Sequence, residues 1–155
     1  LVQHNIVDVV PFLYSNKNYG ILWDNYSISK FGDPRDYQSL ASLQLFTRDG
    51  SPGGLSADYY VNNQIVKRAT EDKIEYEFLE TPAVDNFPKD VARNGKVIWE
   101  GSFSSNDEGE HKFLVYASGY FKVWVDGVML LDKWRQGWNP WTNKFTTRIQ
   151  KNQKE

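Results

Sequence analysis

The sequence predicts an all-β fold, an antiparallel β-sandwich, and three observations carry the prediction. Apolar residues recur almost everywhere with a two-residue period, no long window carries a helical stripe, and turn-forming clusters break the chain at short intervals. With 155 residues, 40% of them hydrophobic and 25% charged, the chain has the apolar material for a sizeable core and fits neither the disordered nor the membrane class.

The elements follow in chain order. Ile6 to Leu13 and Gly20 to Trp23 are β-rich runs flanking the polar cluster Tyr14 to Tyr19, which reads as a hairpin loop. A third run spans Ser39 to Phe46, and the sharpest break in the chain, Asp49-Gly50-Ser51-Pro52-Gly53-Gly54, follows it. A domain boundary is placed there, giving a segment 1–48, a linker 49–54 and a domain 55–155. Beyond the break, Leu55 to Val61 and Lys96 to Phe103 alternate as strands. The polar stretch Val66 to Arg93, with Pro82 and Pro88, reads as irregular loop with a short strand near Ile74 to Phe78 and room for a short helix.

Lys112 to Ala117 and Tyr120 to Val125 carry apolar residues on both faces and are assigned to the core, with Trp99 and Trp124 buried between sheets. Asp126-Gly127 between apolar runs supplies the two positive-φ positions of a type I′ turn, so Met129 to Trp134 is its return strand. Lys144 to Gln150 alternates as the last strand.

Composition narrows the partners. The 18 basic and 20 acidic residues are interspersed, for a net charge of −2, so no basic stripe is available to a phosphate backbone and nucleic acid is not expected. No stretch approaches the roughly 20 apolar residues of a membrane span, and no leader precedes the first strand-like run, so no membrane is expected either. Two isolated histidines and no cysteine leave no set of metal ligands at workable spacing, and His4 and His111 are read as surface residues. Without cysteine the redox compartment stays open. Aromatics, at 15% with six Trp and nine Tyr, are the outlying feature, and they serve β cores and sugar-stacking surfaces alike.

Gly54-Leu55-Ser56-Ala57-Asp58-Tyr59-Tyr60, Val97-Ile98-Trp99-Glu100-Gly101 and Lys122-Val123-Trp124-Val125-Asp126-Gly127, the last followed by Leu130-Leu131-Asp132 and Trp134, resemble a PA14 domain. This β-sandwich or barrel is named after a bacterial protective antigen and is found inserted in glycosidases, adhesins and toxins. The flanks His4-Asn5, Val10-Pro11-Phe12-Leu13 and Tyr19 to Asn25 resemble the amino-terminal β-sandwich of glycoside hydrolase family 31. The string Trp134 to Trp141 resembles its α-xylosidases, in which a PA14 domain is inserted into that sandwich. The resemblance implies a fragment of a longer secreted or periplasmic glycosidase, flanked by strands of a second, incomplete sandwich and ending before further strands of its own domain. It also implies that the catalytic aspartates lie in a barrel outside this chain. Calcium-binding members carry adjacent aspartates where Ala117, Ser118 and Gly119 stand here, so no calcium and no cofactor is expected.

Within this frame Trp134, Arg135, Trp138, Asn139 and Trp141 are the candidate sugar-contacting residues. The Trp faces would stack on a pyranose, and Arg135 and Asn139 would bond its hydroxyls. Stacking and plugging the sandwich end stand level for Trp138 and Trp141, while Trp134 is weighted toward structure. Acid pairs are the mark of glycoside cleavage, but Asp107, Glu108 and Glu110, and Glu71, Asp72, Glu75 and Glu77, sit in polar surroundings and are read as solvated turns. The expected function is a noncatalytic module that extends a glycosidase's substrate cleft, with an oligosaccharide and the parent's catalytic barrel as partners. The alternative is a structural spacer or dimerisation module that meets no sugar, its aromatic loop packing against the parent's barrel or against a second copy.

Overall fold

The computed structural model describes residues 12–24, 35–77, 87–134 and 139–151. The chain divides into two compact units, Leu1–Asp36 and Tyr37–Glu155. In the first, β1 (Phe12–Ser15) and β2 (Tyr19–Leu22) form an antiparallel hairpin. Its loop is shorter than the sequence suggests: Ser15 pairs with Tyr19, and Asn18 takes the positive φ of 62° that closes a three-residue loop. Ile6 to Pro11 of the predicted first strand lie outside the described residues.

In the second unit a four-stranded antiparallel sheet runs in the order β3-β6-β4-β5, from β3 (Gln44–Thr47), β4 (Leu55–Val61), β5 (Gln64–Glu71) and β6 (Gly95–Ser104). The second compact unit begins at Tyr37, ahead of the 49–54 stretch. β3 hydrogen-bonds along β6, and the glycine-rich stretch folds back on β3 through Thr47 N–H to Ser51 O at 2.8 Å and Gly53 N–H to Leu45 O at 3.0 Å. That stretch is a turn inside one sheet. β5 is a second departure, because the sequence reading made most of it loop. It pairs with β4 through the two-residue turn Asn62-Asn63, whose φ values of 49° and 61° are those of a type I′ hairpin. Residues 73–77 form no strand, and Phe78 lies outside the described residues.

β4 is central and alternates strictly. Ala57 and Tyr59 face one side, where Phe87 and Val91 complete the buried cluster with Tyr76, Val97 and Trp99 packed against it. Val91 comes from α1 (Lys89–Asn94), the short helix for which the sequence left room. Asp58 faces the other side.

β7 (Gly109–Ala117) and β10 (Trp141–Ile149) form a long two-stranded ribbon, and β8 (Phe121–Val125) and β9 (Val128–Lys133) a shorter one. The inner face of the first ribbon stacks Phe113 on Phe145 at 4.9 Å and reaches Phe103 of β6 at 5.6 Å, which joins it to the sheet. In the second ribbon Asp126 and Gly127 have φ of 49° and 74°, the type I′ turn that the Asp-Gly pair predicts. The burial expected for the outer positions of β7 and β8 is not found. Tyr116 is 60% and Trp124 56% exposed, because only one face of each ribbon is packed.

Candidate functional site

Three of the five predicted sugar-contacting residues are described, at the end of β9 and the start of β10. Trp134 follows β9 and is 66% exposed, and Trp141 opens β10 at 49% exposure. Asn139 is exposed between them, while Arg135 and Trp138 lie outside the described residues. Trp141 pairs with Ala117 on the face that carries Phe113 and Phe145, at the open end of that ribbon, and its carbonyl accepts from Asn143 Nδ2 at 3.1 Å. Trp134 instead continues the alternation of the other ribbon.

The outer face of the β8–β9 ribbon holds a constellation that the sequence reading missed. Lys122 pairs with Asp132, and their side chains meet at 3.1 Å. Two residues along, Trp124 stands opposite Met129, 56% and 49% exposed. Two residues the other way, one position past the ladder at each end, are Tyr120 and Trp134, 71% and 66% exposed. A register shift between Val123 and Trp124 leaves Leu130 as the extra residue of a bulge, a device that re-aims a strand's side chains. The signal was present in the alternation Tyr120-Lys122-Trp124, but Phe121, Val123 and Val125 made both faces look apolar.

Of the carboxylates, Glu71 is not in a solvated turn. It ends β5, where its carboxylate accepts from the Tyr59 hydroxyl and, at 2.7 Å, from the Trp99 indole N–H. The Tyr76 hydroxyl lies 2.9 Å from that of Tyr59. This cluster is a scaffold element: the carboxylate's oxygens are taken up by Tyr59, whose ring packs on Phe87, and by Trp99, whose ring packs on Tyr76. Burial, and then the Glu71 contact, push the Tyr59 hydroxyl far above its ordinary value of 10.0. The folded chain thus holds this proton more tightly than the unfolded chain, so the associated stability is complete below about pH 10 and is lost as pH rises above it. Urea unfolding across that range should show a loss of about 1.4 kcal/mol per pH unit from this group, and Tyr59→Phe should remove that part of the slope.

On the opposite face of β4, Asp58 is 5% exposed and is held by Arg48 at 2.9 Å and Arg68 at 3.5 Å. Arg48 also reaches Glu100 at 2.6 Å, which ties the 48–54 turn to the sheet. Glu75 is exposed near Lys73, and Glu110 lies on the outer face of β7. His111 is partly buried, with Nδ1 3.2 Å from Gly109 O, rather than on the surface. Among the described residues no group of three potential ligands is placed to hold a metal ion, and no helix is long and apolar enough to cross a membrane. A shallow hollow of about 340 Å³ lies along Ile65, Val66, Lys67 and Arg68 of β5.

Residues 52–155 match the PA14 domain. The chain belongs to this family. Its PA14 fold agrees with a crystal structure of a glycoside hydrolase family 31 α-xylosidase from Xanthomonas citri, at a TM-score of 0.81 and 39% identity over 98% of this chain. A curated relative, the anti-sigma-I factor RsgI3 of Acetivibrio thermocellus, is 28% identical over 125 residues, 74% of this chain. The chain spans 17% of the α-xylosidase and 18% of the anti-sigma factor. The α-xylosidase likeness runs through both compact units, whereas the PA14 match begins within the 48–54 turn.

Proposed function

We propose that this chain is a noncatalytic, carbohydrate-contacting module of a secreted bacterial glycoside hydrolase of family 31, of the α-xylosidase or α-glucosidase kind that acts on plant oligosaccharides such as xyloglucan. The observation that carries the reading is the 39% identity to an α-xylosidase over 98% of the chain, flanking hairpin included. A PA14 domain alone carries less, since a relative of this chain is an anti-sigma factor. Two features support a supporting rather than a bond-breaking role. Glu71 is committed to Tyr59 and Trp99, and Asp58 to two arginines. The exposed Trp134, Asn139 and Trp141 supply flat apolar faces and a hydrogen-bonding amide at the rim. Contacts to sugar units beyond the cleaved one orient substrate and raise efficiency on long chains.

The test is kinetic. In the full-length glycosidase carrying this segment, Trp141→Ala is expected to lower kcat/KM on a xyloglucan oligosaccharide about ten-fold and to leave a short aryl glycoside unaffected. A kcat/KM on the oligosaccharide unchanged from the native enzyme, or lowered equally on both substrates, would remove the reading. An unchanged value would favour the spacer or dimerisation role, for which the exposed Leu114 and Tyr116 on β7 are the supporting observation.

A further inference from the structure

We infer that the outer face of the β8–β9 ribbon is a binding platform for an uncharged, extended oligosaccharide, built as two aromatic steps with a hydrogen-bonding ion pair between them. The inference rests on the carbohydrate reading above and names its site and ligand class. The steps are Tyr120 with Trp134 at one end and Trp124 with Met129 at the other, and the Lys122–Asp132 pair stands between them at 3.1 Å.

Several features point to a sugar chain. An indole 56% exposed in mid-strand leaves apolar area in water that burial would have made favourable. Its backbone is fixed by the cross-strand ladder and by the bulge beside it, so a ligand orders no backbone on binding. Pyranose rings present C–H faces that lie flat on such rings, and hydroxyls at their edges that replace the water bound to Lys122 and Asp132.

The two steps are four strand residues, about 13 Å, apart, farther than a single pyranose reaches, so the ligand has to be a chain. The two charges neutralise each other within the stripe, so it offers no net charge to draw a charged ligand and suits an uncharged one. A protein covering the face would strip water from that ion pair for little return.

Calorimetric titration of the 155-residue chain with a xyloglucan heptasaccharide and with free xylose tests this. The heptasaccharide is expected to bind at least about ten-fold tighter than xylose. Trp124→Ala and Tyr120→Ala are each expected to weaken it about ten-fold, with melting temperature and circular dichroism unchanged because both side chains are exposed. Trp124→Tyr, which keeps a stacking ring, should restore most of the affinity. Binding that survives both alanine substitutions overturns the platform and leaves the carbohydrate reading standing. Absence of heptasaccharide binding to the unaltered chain overturns both. Concentration-dependent self-association that Trp124→Ala abolishes, without sugar binding, assigns the face to a second copy instead.

Discussion

Glu71→Ala is expected to lower the unfolding free energy by about 3 kcal/mol, a large share of the margin of a domain this size. The carboxylate accepts from the Tyr59 hydroxyl and the Trp99 indole N–H, and hydrogen bonds to a charged acceptor contribute about 1.5–3 kcal/mol each. The two losses differ in kind. Tyr59, fully buried, keeps Tyr76 as a partner at 2.9 Å, whereas the indole N–H, which donates to Glu71 at 2.7 Å, must then find water or stay unmet. A double-mutant cycle separates them: Glu71→Ala on a Tyr59→Phe background should cost less than on the native one, and the difference is the coupling. Chemical unfolding by near-ultraviolet circular dichroism reads both. A cost under about 0.5 kcal/mol, typical of a surface substitution, would mean that the carboxylate is as solvated as its polar neighbours in sequence suggest.

That contrast shows what could be read from the residues alone. Two-residue alternation located β4, β6 and β10, apolar runs located β7 and β8, and the Asp126-Gly127 turn located β9 as its return strand. Asp126-Gly127 was legible because its turn chemistry is local. Asn62-Asn63 encodes the same turn, but the return strand β5 lies at the sheet edge and carries Lys67, Arg68, Thr70 and Glu71, so composition hid it. Glu71 resembles any acid of a polar stretch until β5 pairs with β4 and sets it beside Tyr59 and Trp99. Trp124 failed for the opposite reason: an aromatic in a strand predicts burial, and only the pairing with Met129 and the packing of the other face show the indole exposed. The ribbon-face stripe needs a register between residues up to fourteen positions apart, Tyr120 and Trp134, and a one-residue slip would turn it inward.

The backbone seam that holds α1 to the sheet leads to the second large effect. Gly95→Ala is expected to destabilise the second unit by about 2–4 kcal/mol, although its φ of −117° suits any residue. The reason is space. A Cβ there would stand 2.3 Å from Tyr60 O, 2.5 Å from Val91 Cα and 2.9 Å from Val91 O. All three are backbone atoms, so no side chain can swing aside to relieve them. Gly95 N–H also bonds Val91 O to close the helix, and moving it outward would loosen that bond and the Tyr60–Lys96 pairing together. Val91, 4% exposed, would be drawn off Tyr59 and Phe87, and the loss of packing adds to the strain. Gly127→Ala in the ribbon turn is the informative contrast, because nothing lies within 4 Å of its Cβ and only the φ of 74° opposes it. Thermal unfolding should therefore show the larger shift for Gly95→Ala. The reverse order would mean that α1 is not docked on β4, and that the packing of Val91 contributes little to the unit that carries the ribbon face.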